Sequence, residues 1–324
     1  MRALITGANG FLGHHLARRL TERGDTVRAL VRGGSDASAL SGLDVEKVEG
    51  DVTRPQSLRA AAEGVDVVFH LAGIRRAPTR EAYFAVNADG TRAVCEAMVA
   101  AGARRLVLCS SLAAVGPSRP DRPHVETDPL EPLEWYGESK KEAEDIARSF
   151  AGRLEVTINR PSRIAGPGDR ENLPFFRLAA RGVLLTLGGP PRPLSLVDVE
   201  DAAELLLLQG ESPRAVGEAF FAAGLGDTSL EGLQEEAARA LGTRLRKVRI
   251  PPFVLTSLAN VADAVSTLTG RYLPLNRKLA RQLLAPAWTC SAEKARHLLG
   301  YTPRRTVAES ISRSANWYRQ QRWI

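Results

Sequence analysis

Short apolar runs alternate with longer amphipathic segments over roughly the first half of the chain. The apolar runs predict six strands, Arg2–Thr6, Val27–Val31, Val45–Glu49, Val67–Leu71, Arg105–Cys109 and Val156–Asn159. The amphipathic segments predict helices at Phe11–Arg23, Ser57–Ala62, Glu81–Ala101 and Ser139–Gly152. Near-continuous apolar strands divided by such helices are typical of a parallel sheet covered on both faces. The pattern therefore predicts an α/β fold with an open, doubly wound parallel sheet.

The alternation stops after Pro161, where Pro and Gly cluster in Pro161–Asp169 and again in Gly188–Pro193. A helix is predicted to follow at Asp201–Gln209, and most of the remaining chain has a helical pattern. The capping-box spacing predicts two further helix starts, Thr228 with Glu231 and Thr306 with Glu309. We expect two domains: residues 1–168, to which about 194–224 return, and a smaller, mainly helical domain of 169–193 and 225–324.

Composition and charge narrow the class of protein. Hydrophobic residues make up 44% and charged residues 25%, which excludes disordered and fibrous chains. The 44 Lys and Arg exceed the 37 Asp and Glu by 7, but lysine is rare, so a general preference for arginine accounts for the excess. The arginine-rich segments Arg239–Arg249 and Arg304–Arg322 show no interleaved aromatics on a strand platform, and a basic helix face is the simpler interpretation of both. We expect no nucleic-acid partner, and an anionic small ligand remains the next interpretation of the charge.

Cysteine usage and the N-terminus bear on location. Cys95, Cys109 and Cys290 are odd in number and have no metal-ligand spacing, so neither a disulfide framework nor a metal site is expected. No run reaches the ~18 apolar residues that a membrane span needs. The sequence begins directly with a strand pattern, which leaves no room for a signal peptide. We expect a cytoplasmic protein.

The first predicted strand runs directly into the segment Thr6–Gly13, TGANGFLG, and a helix follows. In this position Gly7 permits a tight turn, Gly10 allows a pyrophosphate to approach the backbone, and Gly13 allows close packing of helix on strand. The helix N-terminus offers unpaired N–H groups to the phosphates. The segment predicts a dinucleotide site formed by Gly7, Asn9, Gly10, Phe11, Leu12 and Gly13.

The end of the second strand bears on which dinucleotide binds. Arg32 stands where an acidic residue would bind the ribose 2′-hydroxyl of NAD, and an arginine there accommodates the 2′-phosphate of NADP. The sequence therefore favours NADP(H). NAD(H) is the alternative, because Asp36 follows closely and could turn inward. Asp51 and Val52, after the third strand, are expected beside the adenine, with a plain strand-end turn as the alternative for Asp51.

Tyr136 and Lys140 are four residues apart at the start of a predicted helix, so they share a face or meet at its first turn. A nearby ammonium lowers the pKa of a phenol and makes it a better group for proton transfer. Ser110 and Ser111 follow the fifth strand, at the sheet edge where ligands bind in open α/β folds. These residues predict a proton-transfer site beside the dinucleotide.

Seven ordered motifs carry a family resemblance: TGxxGxxG, Gly50-Asp51, His70–Gly73, Asn87 with Ser110-Ser111, Tyr136-xxx-Lys140, Arg160–Asp169 and Leu196–Ala203. Together they resemble the extended short-chain dehydrogenase/reductases of the NAD-dependent epimerase/dehydratase superfamily. The resemblance implies a Rossmann domain with Tyr136 as general acid/base, Lys140 as the residue that tunes it and holds the nicotinamide ribose, and a serine that polarises the substrate oxygen. Ser111 is assigned because Ser111–Gly116 keeps the family's spacing, and Ser110 is the alternative. Further residues implied beside the cofactor are Leu71, Ala72, Gly73, Asn87, Ser110, Pro161 and Ile164.

Within the family, four segments resemble the dihydroflavonol reductase and 3β-hydroxysteroid dehydrogenase branch: Ala29–Arg32, Ser110–Leu112, Asn172–Phe176 and Trp288–Cys290. This implies hydride transfer between NAD(P) and a carbonyl or secondary alcohol of a largely apolar substrate, steroid-, flavonoid- or 3-oxoacyl-like. It also implies a homodimer through Glu81–Ala101 and Ser139–Gly152. The sequence departs from the family at Asp198, where His is usual, and at Trp135, where Pro is common. Both positions are expected to border the substrate cavity.

Two other functions stay open. A nucleotide-sugar epimerase or dehydratase would use the same Tyr136 and cofactor, and would need cations for a diphosphate. The candidates for that role are Arg177, Arg181, Arg192 and Arg271. A catalytically silent cofactor-binding protein is the third interpretation, and it would require Tyr136 or Lys140 to lie away from the nicotinamide.

Overall fold

A computed structural model describes residues 1–269, 273 and 275–324 of the chain. Its strands are Arg2–Thr6 (β1), Thr26–Val31 (β2), Val45–Glu49 (β3), Val67–His70 (β4), Arg105–Cys109 (β5), Glu155–Pro161 (β6), Arg163–Ala165 (β7), Val183–Leu187 (β8), Leu194–Asp198 (β9), Ala219–Ala222 (β10), Asp227–Thr228 (β11) and Arg246–Ile250 (β12). Its α-helices are Phe11–Glu22 (α1), Arg59–Ala62 (α2), Arg80–Phe84 (α3), Gly90–Ala101 (α4), Trp135–Ser149 (α5), Leu173–Ala180 (α6), Val199–Glu211 (α7), Leu230–Leu241 (α8), Pro252–Thr269 (α9), Arg277–Leu284 (α10), Glu293–Leu299 (α11) and Val307–Gln320 (α12).

Seven strands form one parallel sheet in the order β10-β6-β5-β4-β1-β2-β3. The predicted α/β fold with a doubly wound parallel sheet is confirmed, and β1, β3 and β5 have the predicted bounds. The seventh strand, β10, was not predicted. It is a four-residue edge strand that pairs only with β6, and so short a run carries little pattern of its own.

The helix that carries Tyr136 begins earlier than predicted, at Trp135. The carboxylate of Glu134 caps it by accepting hydrogen bonds from the backbone N–H groups of Tyr136 (2.8 Å) and Gly137 (3.2 Å). The predicted helix Glu81–Ala101 contains a π-helical turn at Ala85–Asp89 between α3 and α4. Such turns occur mostly at functional sites, and this one carries Asn87.

One of the two predicted capping boxes is wrong. Thr306 and Glu309 form the predicted box at the start of α12. At α8 the cap is Ser229, whose hydroxyl accepts from the N–H of Gly232 at 3.0 Å. Thr228 lies in β11 and pairs with Leu194, so the helix starts one residue later than the spacing suggests.

The core has two layers on the sheet and a third cluster beyond it. One apolar cluster packs α2, α4 and α5 on one face, and another packs α1 and α7 on the other. A third cluster joins α6, α8 and α12, so the C-terminal region is mainly helical. Two small sheets, β11-β9-β7 and β12-β8, lie outside the seven-stranded sheet. None of the described helices is long and apolar enough to cross a membrane.

Candidate active site

The glycine turn after β1 has the geometry of a phosphate cradle. Gly7 has φ +74°, and a Cβ there would lie 2.8 Å from the backbone N of Ala72; a Cβ on Gly13 would collide with the carbonyl oxygen of Gly7. Gly10 is the N-cap of α1 and no side chain caps that helix. The N–H groups of its first turn are therefore open to an anion. This cradle fits the pyrophosphate of a dinucleotide.

A cavity of about 2450 Å³ extends from this turn along the carboxyl ends of the central strands to the C-terminal helices. The predicted site residues in its wall are Gly7, Asn9, Gly10, Phe11, Leu12, Gly13, Leu71, Gly73, Ser110, Ser111, Tyr136, Lys140, Pro161 and Ile164. The predicted residues outside its wall are Arg32, Asp51, Val52, Ala72 and Asn87. One cavity thus brings the glycine turn together with the predicted proton-transfer residues.

The residues expected near the adenine and ribose of the cofactor differ in their exposure, in their hydrogen bonds and in whether they line the cavity. Arg32 is exposed just beyond β2 and forms no ion pair with any described residue. Asp36 borders the cavity but is exposed, and its carboxylate accepts from the N–H of Ser38 at 2.9 Å. Asp51 forms a strand-end turn, with Oδ1 accepting from both the N–H and the hydroxyl of Thr53 at 2.8 Å. Asp36 therefore borders the cavity while Arg32 lies outside its wall, and both stay candidates for the contact with the ribose.

Asn87 is buried and hydrogen-bonds both the segment after β4 and the helix α5. Its Oδ1 accepts from the N–H of Ile74 (2.8 Å), and its Nδ2 donates to the carbonyl of Ile74 (3.0 Å) and to Ser139 Oγ (2.9 Å). Its amide is thus occupied by protein groups that hold the segment after β4 against α5. Ala72 is similarly fixed, since its N–H donates to Thr6 Oγ1 at 3.2 Å.

Tyr136 faces the cavity beside Ser111. Burial raises the pKa of the Tyr136 phenol, while the charge of Arg75 and a hydrogen bond with the Ser111 side chain act to lower it. Ser111 Oγ also accepts from the N–H of Ala113 at 3.1 Å, which fixes its position at the start of a 3₁₀ turn. The site therefore holds a protonated phenol next to a fixed hydroxyl.

Ser110 has a different environment from its neighbour. It is 2% exposed, and its hydroxyl donates to Glu144 Oε1 at 2.6 Å. Glu144 is fully buried and forms two hydrogen bonds with Arg160, at 2.9 and 2.7 Å. The hydroxyl of Ser110 thus donates a further hydrogen bond to the carboxylate of the buried Glu144–Arg160 ion pair.

Lys140 lies deep in the cavity and is 5% exposed. Its Nζ donates to the carbonyl oxygen of Cys109 at 2.6 Å, and burial lowers the pKa of its ammonium. A Cβ on Gly73 would lie 3.6 Å from this Nζ, so the glycine leaves space beside the ammonium. Lys140 is positioned by β5 and by the segment that follows β4.

Arg75 is a site residue that the sequence analysis missed. Its guanidinium carbon lies 5.5 Å from the ring centroid of Tyr136, and it pairs with Glu171 at 3.9 Å. It is the charged group with the largest effect on the pKa of the Tyr136 phenol. The only sequence signal was its place shortly after Gly73, at the end of a predicted strand.

The two departures from the family pattern lie in different places. Trp135 lines the cavity as expected, with the ammonium of Lys278 over its ring. The expectation for Asp198 is wrong, because it is fully buried away from the cavity wall and caps α7. Both of its oxygens accept from Arg313 of α12 at 2.9 Å. Its carboxylate thus serves to attach the last helix.

The C-terminal elements supply an apolar part of the cavity wall. The residues in question are Phe175, Leu185, Leu187, Leu194, Ile250, Leu255, Leu279, Leu283 and Trp288. Of the arginines considered for a diphosphate, Arg192 lines the cavity but donates to the carbonyls of Gly188 and Pro190. Arg177 and Arg181 do not line it, and Arg271 lies outside the described residues.

The sequence profile of the NAD dependent epimerase/dehydratase family matches residues 3–222. The chain belongs to this family. It is 36% identical over 326 residues to a protein named ceramide reductase from Caulobacter vibrioides, covering 99% of this chain and 95% of the relative. It is 33% identical over 344 residues to sterol demethylase protein B from Methylococcus capsulatus, covering all of both chains. The crystal structure of gox2253 superposes with a TM-score of 0.84 at 29% identity, covering 98% of each chain.

Membership of the epimerase/dehydratase family accounts for the glycine turn and for the cavity along the strand ends. The chain is accordingly an NAD(P)-dependent short-chain dehydrogenase/reductase of the extended type. Among the residues described, no group of three or more His, Cys, Asp or Glu side chains is arranged to hold a metal ion.

Proposed function

We propose that the protein is an NADP(H)-preferring reductase that transfers a hydride between the nicotinamide and a carbonyl or secondary alcohol of a largely apolar substrate. The observation that carries this proposal is the meeting of Tyr136 and Ser111 in a cavity whose C-terminal wall has an extended apolar part. Steroid-like, flavonoid-like and 3-oxoacyl-like molecules are the substrate classes that such a wall fits.

The proposed roles follow from the contacts of each side chain. Because burial raises the pKa of Tyr136, its phenol is protonated at neutral pH and can donate that proton to a carbonyl oxygen during reduction. Ser111, fixed by Ala113, hydrogen-bonds the same oxygen. In the oxidative direction, the charge of Arg75 and the hydrogen bond from Ser111 stabilise the phenolate of Tyr136, which is the form that takes up the alcohol proton.

The cofactor would be held along the strand ends. The first turn of α1 and the cradle of Gly7, Gly10 and Gly13 receive the pyrophosphate, and Lys140 holds the nicotinamide ribose. Pro161 and Ile164 form the wall beside the ring. When bound, the nicotinamide supplies or accepts the hydride at its C4.

The substrate class has support from the polar residues of the C-terminal wall. The side chain of Gln234 is occupied by the backbone of Leu185, with Oε1 accepting from its N–H (3.0 Å) and Nε2 donating to its carbonyl (3.1 Å). Glu231 accepts from the N–H of Leu187 at 3.2 Å. With these groups satisfied, the part of the wall formed by Leu185 and Leu187 favours apolar surface, while Arg277, Lys278 and Arg281 line another part of the cavity. The names of the two relatives, a ceramide reductase and a sterol demethylase protein, agree with this class.

The test is a screen for NADPH oxidation over ketosteroids, flavonoid-like ketones, 3-oxo acids and UDP-sugars. We expect turnover of an apolar ketone, and Tyr136→Phe should lower that turnover by at least ~10²-fold because the proton donor is lost. Turnover of a UDP-sugar without net NADPH consumption would contradict the proposal and favour an epimerase or dehydratase.

Tyr83→Phe is the matched control for Tyr136→Phe. The two rings are 6.5 Å apart, and the hydroxyl of Tyr83 donates to the carbonyl of Arg75 at 3.1 Å. The control removes the same atom from the same cavity wall but should leave most of the turnover. Equal losses of turnover in the two variants, or near-normal turnover in Tyr136→Phe, would contradict the role of Tyr136 as the proton donor.

A further inference from the structure

The net charge of the protein is concentrated in one segment. Residues 244–284 contain eight Lys or Arg and one acidic residue, Asp263, a net charge of +7. The rest of the chain has 36 basic and 36 acidic residues and is neutral. The excess therefore belongs to β12, α9, α10 and their connections, and a general preference for arginine does not explain its location.

The middle of this segment, α9, has an uncharged and exposed apolar face. Phe253, Leu258, Val261 and Leu268 are 71%, 51%, 61% and 86% exposed. Leu258, Val261 and Leu268 are separated by three and seven residues, which places them on one side of the helix. The single charged residue of α9, Asp263, accepts from the backbone N–H of Arg277 in α10 at 3.2 Å.

Cations lie on both sides of α9 along the chain. Arg246, Lys247 and Arg249 of β12 are exposed, and this strand pairs only with β8 and leads directly into α9. Arg277 and Arg281 of α10, which packs beside α9, are exposed as well, but both also line the cavity and Arg277 pairs with Asp263, so the cations free to face a partner of α9 are those of β12. An apolar helix face bordered by Lys and Arg has the chemistry of a segment that lies in the interface of an anionic bilayer.

We propose that the exposed face of α9 docks on a lipid bilayer with anionic headgroups. Phe253, Leu258, Val261 and Leu268 enter the headgroup and acyl boundary, and the exposed cations of β12 contact the phosphates. A second copy of the chain is a poorer occupant, because a two-fold interface would place two segments of charge +7 against each other. A nucleic acid would contact the cations but would leave the apolar face of α9 exposed to water.

Docking would bring the cavity close to the bilayer. The side of α9 opposite the exposed face contributes Leu255, Asp263 and Ser266 to the cavity wall. One helix thus separates the cavity from the proposed lipid surface. The docking proposal itself does not depend on the reaction, so it can fail or succeed independently of the proposed function.

The test is flotation of the full chain with vesicles of phosphatidylcholine alone and with 30% phosphatidylglycerol. We expect binding to the anionic vesicles, a loss of about tenfold or more in Val261→Gln/Leu268→Gln, and a marked loss at high salt. Arg246→Gln/Lys247→Gln should weaken binding to the anionic vesicles specifically. Leu298→Gln on α11 is the control, since this leucine is 37% exposed but lies far outside the segment in sequence.

Light scattering on the wild-type chain and the same variants distinguishes a lipid bilayer from a second copy of the chain as the partner of the exposed face of α9. The proposal is supported if the oligomeric state, monomer or dimer, is the same in the wild-type chain and in Val261→Gln/Leu268→Gln while these changes remove vesicle binding. A dimer that these changes dissociate would overturn it in favour of a second copy. Absence of binding to either vesicle by a folded wild-type chain that binds NADPH would overturn it as well.

Discussion

Ser110 and Ser111 are adjacent in the chain, yet their hydroxyls have different partners. Ser110 donates into the buried pair of Glu144 and Arg160, whereas Ser111 reaches the phenol of Tyr136. These contacts favour Ser111 as the substrate-side serine, which spacing alone left open against Ser110. For Arg32 and Asp36 the choice stays open, because their sequence positions do not show which of the two side chains contacts the ribose of the cofactor.

The choice of dinucleotide is tested by a pair of variants at these two positions. If NADP(H) is preferred, Arg32→Ala should weaken NADPH binding by about 10- to 100-fold through loss of a charge-assisted contact with the 2′-phosphate, and leave NADH binding nearly unchanged. Asp36→Ala is the matched variant and should weaken neither. Dissociation constants from cofactor fluorescence measure both, and a loss of NADH affinity in Asp36→Ala alone would assign the site to NAD(H).

At the scale of elements, backbone pairing decided where helices begin. Thr228 is part of β11, so α8 is capped by Ser229. Thr306 forms only an isolated bridge with Leu225 and caps α12 as its spacing predicts. Contact between elements also explains the glycine turn. Gly13 is needed because α1 crosses the turn after β1 without room for a side chain.

Gly13→Ala tests this close packing. The added Cβ would meet the carbonyl oxygen of Gly7, so the turn or the helix must shift, at a cost of about 1–3 kcal/mol in the free energy of unfolding. Urea denaturation measures this cost, and dinucleotide affinity should fall with it. Gly152→Ala is the control, since a Cβ there has nothing within 4 Å. Equal stability of the two variants would contradict the packing argument.

At the scale of the molecule, one ionic network ties the C-terminal helix to the nucleotide-binding sheet. Glu200 of α7 pairs with His15 at 2.9 Å, with Arg18 of α1, and with Arg313 of α12 at 3.7 Å. Asp198 binds the same Arg313. The network therefore joins three helices that are distant in sequence. Three features stay predictions: the domain boundaries, the homodimer through Glu81–Ala101 and Ser139–Gly152, and the cytoplasmic location.

The network predicts a pH dependence of stability. Burial would raise the pKa of Glu200, but its contacts with His15 and Arg18 lower it from 4.5 to about 2. A lowered native pKa contributes stability that is complete above the unfolded value and is lost as the pH falls toward 2. The free energy of unfolding should therefore drop by about 2–3 kcal/mol between pH 5 and pH 2 from this group.

Glu200→Gln should lower stability at pH 7 and make the decline between pH 5 and pH 2 shallower by that amount, as measured by urea denaturation at each pH. Glu22→Gln provides the control, because the side chain of Glu22 is 67% exposed and pairs with the same Arg18 at 3.6 Å. An unchanged slope in Glu200→Gln would show that the network contributes nothing to acid stability.

The amino-acid sequence alone was enough to predict the central sheet, the glycine turn and the position of Tyr136 and Lys140 on one helix, because these depend on local patterns: apolar runs, glycines at a strand end, and residues four apart on one helix. It also contained the basic excess of residues 244–284. Only the tertiary structure could bring Arg75 over Tyr136, bury Asp198 beneath Arg313 and leave the apolar face of α9 exposed. Those features depend on contacts between segments far apart in the chain, and side-chain spacing carries no information about which distant surfaces become neighbours.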